Sequence, residues 1–261
     1  MKKFGFAMLA ALAMTGSAVA ADMAPRYTKA PPAPIAVYSW TGCYIGGNVG
    51  GGWERTRQTQ VAKVTGPLAA IGSLNGNFGA SDGSDFVGGG QIGCDYQFAN
   101  NWVVGIQGMY DYARIDSSHI LPAFPAFTSN VRVKDMWTAT GRVGYLFTPQ
   151  LLGYVKGGGA WTSVDYVVNS NGPPVLNSEN AFGVSRSGWT VGGGLEWQFA
   201  RGWSVFGEFN YMDFGSKDVA FTIAPGAVGI SDVVRTKLEV EQFLVGVNYK
   251  FNFASPVVAK Y

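Results

Sequence analysis

Residues 238 to 253 read Leu-Glu-Val-Glu-Gln-Phe-Leu-Val-Gly-Val-Asn-Tyr-Lys-Phe-Asn-Phe, and the interpretation of this stretch decides the fold. Phe243, Val245, Val247, Tyr249, Phe251 and Phe253 share one parity; Gln242, Gly246, Asn248, Lys250 and Asn252 share the other. Alternate residues of a strand point to opposite faces, so one face is apolar and aromatic and the other mostly polar. A soluble sheet turns such an apolar face to a core, whereas a membrane barrel turns it to lipid. What remains of the chain separates the two.

The same alternation recurs upstream. Strands are predicted at residues 203 to 213 and 189 to 199, joined at Ala200-Arg201-Gly202, and at 151 to 162 and 136 to 147, joined at Thr148-Pro149-Gln150. Two more, at 102 to 113 and 86 to 98, are joined at Ala99-Asn100-Asn101, and a first strand runs from Tyr44 to Trp53. Between these hairpins the periodicity fades, and residues 54 to 85, 114 to 135, 165 to 188 and 214 to 236 are expected to be long loops. An internal echo supports the register. Gln97-Phe98-Ala99-Asn100-Asn101-Trp102 returns as Gln198-Phe199-Ala200-Arg201-Gly202-Trp203, each copy preceded by Val-Gly-Gly-Gly.

Connections that alternate long and short across about eight strands are the mark of an up-and-down, all-β transmembrane barrel. Aromatics gather at strand ends, among them Trp53, Trp102, Phe147, Trp161, Trp189 and Trp203, where an interfacial girdle belongs. No helix-period segment is left to cover the apolar faces. The chain has 261 residues, 37 of them glycine, 14% charged and with a net charge of +2, which gives no argument for a nucleic-acid partner. Mean hydropathy of +0.09 is uninformative, because alternation averages it away.

The two ends carry their own signals. Residues 1 to 20 hold Lys2 and Lys3, an apolar run from Phe4 to Met14, and Ala18-Val19-Ala20 before Ala21, a cleavable secretory signal. Residues 21 to 38, with Pro25, Pro31, Pro32 and Pro34, read as an extended linker on the periplasmic side. The barrel is expected over residues 39 to 253, with both termini periplasmic, and residues 254 to 261 form a C-terminal extension.

Trp40-Thr41-Gly42, then Tyr44-Ile45-Gly46-Gly47-Asn48-Val49-Gly50-Gly51-Gly52-Trp53, and the ending Val245-Gly246-Val247-Asn248-Tyr249-Lys250-Phe251 resemble the small outer-membrane surface antigens of alphaproteobacteria, the Omp25/Omp31 group. The resemblance covers nearly all of the mature chain. It implies an eight-stranded barrel of OmpA/OmpX type in the outer membrane, a role in envelope integrity and surface contact, and no catalysis. Some relatives are described as porins, so a small diffusion channel is the alternative, and an outer-membrane enzyme a remote one. Such barrels often end on the last aromatic, here Phe253, whereas this chain continues to Tyr261.

Candidate sites are few. Cys43 and Cys94 fall on one parity near the turn end of the first two strands, and in an oxidising compartment a disulfide is expected, against two free lipid-facing thiols. The polar parity collects Asp95, Asp111, Arg142, Lys156, Glu196, Glu208 and Lys250. Eight strands leave an interior just filled by side chains, so these charges are expected to pair as a lumen network. Gly88-x-Gly90-x-x-Gly93 matches a dinucleotide fingerprint as a string but enters no helix. His119 is read as an ordinary exposed loop histidine. No catalytic residue, cofactor or metal ligand is assigned. Expected partners are outer-membrane lipid and lipopolysaccharide, the barrel-assembly machinery, and an unidentified ligand of the external loops.

Overall fold

The computed structural model describes residues 38–63, 77–98, 101–122, 124–172, 179–223 and 230–251. The signal segment, nearly all of the linker and the C-terminal extension lie outside the described residues. Eight antiparallel strands follow the chain around a closed ring: β1 (Gly42–Lys63), β2 (Asn77–Phe98), β3 (Trp102–Leu121), β4 (Phe124–Thr148), β5 (Leu151–Ser170), β6 (Glu179–Ala200), β7 (Trp203–Ile223) and β8 (Ile230–Phe251). β8 closes the ring on β1, with Val245 opposite Val49 and Tyr249 opposite Ile45. The expected eight-stranded up-and-down barrel is the one observed.

Strand length departs from expectation. Each predicted strand is only the half nearest the short turns, and most of the four predicted loops is strand. The reach from 114 to 135 reduces to residues 122–123 between β3 and β4. A membrane-crossing β-strand needs about 9–11 residues, yet β4 has 25 and β1 and β8 have 22 each. The barrel is therefore roughly twice as tall as a bilayer requires. Ladder bonds to neighbouring strands, rather than side-chain alternation, hold the second half in the sheet.

β8 shows what changes along that length. Its outward residues are Phe251, Tyr249, Val247, Val245 and Phe243, and then Glu241, Glu239, Lys237 and Arg235. Inward, Lys250, Asn248 and Gln242 give way to Val240, Leu238 and Val234, with Leu244 just before the change. Parity is kept, but chemistry inverts. β1 repeats the switch on its outer face, from Ile45, Val49 and Trp53 to Arg55 and Arg57.

Two aromatic rows bound the apolar band. Phe98, Trp102, Phe147, Phe199, Trp203 and Phe251 lie at the turn end, and Trp53, Phe86, Tyr112, Trp137, Trp161 and Trp189 at mid-height, all with rings exposed. Beyond the second row the wall is mostly polar, Ile120 and Phe182 apart, and carries ion pairs: Arg55 with Asp82 (3.1 Å), Arg132 with Asp116 (2.5 Å), Lys134 with Asp165 (2.6 Å) and Arg235 with Asp218 (2.7 Å). Such exposed pairs contribute only about 0–1 kcal/mol each. Their value is diagnostic, because charges of this kind face water and the band below faces hydrocarbon.

Candidate functional site

The lumen is filled in three layers. At the turn end Trp40, Val103, Leu146, Leu152 and Tyr154 form an apolar plug. Trp40 is 1% exposed: its indole N–H donates to the Pro149 carbonyl at 3.1 Å, its backbone N–H donates to Gln97 Oε1 at 3.1 Å, and its carbonyl accepts from Lys250 Nζ at 3.0 Å. A residue outside the strand alternation thus stoppers the barrel. Parity could not reveal it.

Above the plug lies the charged layer. Asp95, Asp111, Arg142, Lys156, Glu196, Glu208 and Lys250 are all buried there. Arg142 donates from Nε to Asp95 Oδ1 at 2.8 Å and from Nη1 to Glu196 Oε2 at 3.2 Å, while Lys250 Nζ reaches Asp95 Oδ2 at 2.8 Å. Lys156 Nζ donates to Glu208 Oε1 at 2.6 Å and to Gln107 Oε1 at 2.9 Å. Tyr154 donates to the other Glu208 oxygen at 2.7 Å. Ser204 at 2.6 Å and Asn248 at 3.0 Å complete Glu196, and Gln91 links Asn248 to Asn48. The rings of Tyr44 and Tyr154 lie 4.8 and 5.0 Å from the Arg142 guanidinium carbon, a cation–π arrangement. Alternation makes the charges legible; Tyr44 and Tyr154, aromatic residues on the polar parity, are the members it disguises.

The third layer occupies the outer half and joins an apolar cluster to buried polar side chains, among them Glu54, Thr56, Gln58 and Gln60 of β1 and Asp232 of β8. Val87, Ile115, Val133, Val164, Tyr166, Met212, Leu238, Val240 and Leu244 are each 0% exposed and belong to one contiguous cluster. Arg186 enters this layer and is held by Tyr166 Oη at 3.0 Å, the Thr236 hydroxyl at 2.5 Å and the Gly215 carbonyl at 3.0 Å. The interior is polar at the charged layer, as expected, and in the outer half polar side chains share it with an apolar cluster. Above mid-height the outside is wet, so the hydrophobic effect drives apolar side chains inward as in a soluble protein.

Cys43 and Cys94 face each other across β1 and β2 and are joined by a disulfide. His119 is not a loop residue. It lies in β3, half-buried, with Nε2 2.6 Å from the Phe78 carbonyl, which fits a ring N–H donating to that oxygen. Gly88, Gly90 and Gly93 sit within β2, in pairing with β1 and β3.

A closed antiparallel ring with an apolar outer band edged by aromatics and with charges inside defines the class of outer-membrane β-barrels. Residues 6–251 match the family model described as outer membrane protein beta-barrel domain, and the chain belongs to that family. It is similar to the 31 kDa outer-membrane immunogenic protein of Brucella melitensis, with 30% identity over 256 residues covering 96% of this chain and 100% of the relative. The 25 kDa outer-membrane immunogenic protein of the same species is 29% identical over 250 residues, covering 93% of this chain and 94% of that one. The solved outer-membrane protease OmpT of Escherichia coli aligns with a TM-score of 0.48 and 10% identity, covering 84% of this chain and 99% of that chain. The likeness to the Omp25/Omp31 group and the outer-membrane location both stand.

Proposed function

We propose that this protein is a closed structural barrel that reinforces the outer membrane and holds its connecting loops well clear of the lipid, for contact with the surroundings. The turn end and both termini face the periplasm in this reading, after export by the cleavable signal. Lipid and lipopolysaccharide surround the apolar band, and the assembly machinery inserts the barrel. The observation that carries it is the filled lumen: plug, ion-pair layer and a mixed outer core leave buried side chains from one end to the other. Conduction would require separating buried ion pairs and displacing apolar side chains together, at a cost of several kcal/mol for the charges alone.

Planar-bilayer recording of the refolded protein tests the closed lumen, and discrete conductance steps would refute it. For the envelope role, cells lacking the protein are expected to become more sensitive to detergent and chelator. Unaltered sensitivity, with the full set of other envelope proteins at normal levels, would remove that role.

A further inference from the structure

On the outer wall, above the second aromatic row, β3 to β6 enclose a groove of about 430 Å³, within the range of roughly 300–1,000 Å³ usual for small-ligand sites. Two bulges shape it. The pairing of β4 with β5 shifts between Val133 and Asp135, and that of β5 with β6 between Val164 and Tyr166. Bulges bend a strand and re-aim its side chains, and are enriched beside functional sites. Here they bring Lys134 onto Asp165, whose Oδ1 also accepts from the Gly183 N–H at 2.8 Å.

The groove floor is a fixed row. Asp116, Arg132 and Asp165 are register neighbours on β3, β4 and β5. Arg132 meets Asp116 through two N–H donors, at 2.5 and 3.2 Å. Asn130 and Asn169 line the groove beside this row, and Phe182 stands at the β6 side, 64% exposed. A ring of that exposure beside polar groove residues, on a wall where Ile120 is the other strongly exposed apolar side chain among the described residues of β3 to β6 above the second row, offers an apolar face to a ligand.

We propose that this groove binds a neutral saccharide, with the apolar face of a sugar ring on Phe182 and its hydroxyls on the carboxylate, guanidinium and carboxamide groups beside it. Arg132 and Lys134 balance Asp116 and Asp165, so the groove carries no net charge to draw a free phosphate or a metal ion. It does offer donors and acceptors side by side, held by ion pairs, which is what a set of hydroxyls matches. Its height agrees. Arg132 lies five residues along β4 from Trp137, about 17 Å of strand at roughly 3.3 Å per residue, which puts the groove clear of the hydrocarbon and open to saccharides in water. The inference rests on the loop end facing outward, but binding to the folded barrel in detergent tests the groove whatever the orientation in cells.

The experiment is an NMR-detected titration of the refolded full chain with three probes: lipopolysaccharide, its lipid-free oligosaccharide stripped of phosphate and acidic sugars, and a panel of soluble neutral glycans. Saturable binding of a free saccharide is expected, with Phe182→Ala and Asn130→Ala each weakening it tenfold or more and heat-dependent gel mobility unchanged. Binding of the lipid-free oligosaccharide identifies the protein's own leaflet as the source, and binding of panel glycans alone identifies a foreign surface; both support the site. Absence of saccharide binding at millimolar concentration, binding of the intact glycolipid only, or unaltered affinity in both variants overturns it.

Discussion

Arg142 is the residue on which the charged layer turns, because among the described residues it alone is ion-paired to both Asp95 and Glu196. Asp95 keeps Lys250 when Arg142 is removed, but Glu196 is left with neutral donors only. Replacing Arg142 by Met is expected to cost about 3–5 kcal/mol, the usual consequence of stranding a buried charge. Glu196→Gln on top of it should restore part of that loss. Urea unfolding of the barrel in vesicles measures both, and a double variant no more stable than the single one would contradict the pairing. On the wet wall, burial pushes the Asp165 carboxyl up, but the hydrogen bond from Lys134 and that from the Gly183 N–H outweigh it, so the group titrates below the ordinary 3.8. A depressed carboxylate contributes stability above its unfolded pKa and loses it as pH falls through the folded value. Carboxyl NMR of Asp165 should therefore show a midpoint under 3.8, and a midpoint at or above it would contradict the Lys134 contact. The seven lumen charges were legible in the sequence because a charge inside an apolar alternation stands out. Trp40 was not, since its place depends on Pro149, Gln97 and Lys250, all distant in the chain.

At the scale of a strand, β8 carries the lesson in one piece. Residues 243 to 251 were legible because every second side chain is aromatic or β-branched, with Asn248 and Lys250 between them and Leu244 the one large apolar exception. Residues 230 to 237 were not, because Asp232, Thr236 and Val234 all point inward and Arg235 outward, a mixture with no clean period. Pairing with β1 and β7 makes that segment a strand. The chemistry of position then depends on height alone. Val245→Arg, in the middle of the apolar band, is expected to cost about 2–4 kcal/mol, although the same residue type is native at Arg235 on the same face. Folding free energies in bilayers check this, and a cost near zero at 245 would mean that the band is not in hydrocarbon. The β1–β2 hairpin is tied by Cys43 and Cys94, which are 51 residues apart. Cys43→Ser is expected to lower stability by about 2–4 kcal/mol, read as a shift of the unfolding midpoint that reducing agent reproduces in the parent and not in the variant.

For the molecule as a whole, the outer half should be as firmly folded as the half in lipid. Leu238 and Val240 are as buried as Leu244, within one continuous cluster. Hydrogen exchange of the refolded barrel is expected to protect the amides of residues 234 to 240 as strongly as those of 243 to 249. Rapid exchange in the first group would show that the extension is a frayed end instead of a wall. The fold class was legible because every strand repeats one alternation below mid-height. The height of the barrel was not, since alternation of the opposite sense, spread over small polar residues, reads as loop.

Grease yields to charge at a common level around the cylinder, so the molecule carries its own waterline and cannot ride higher or lower in the leaflet without drowning an ion pair or stranding an indole. Below that line a substitution must satisfy lipid on one side and a packed set of charges on the other. Above it, water on one side and a core of mixed polar and apolar side chains on the other judge the change. The upper storey is thus the part free to diversify, and exchanging it wholesale between relatives should leave the moorings undisturbed.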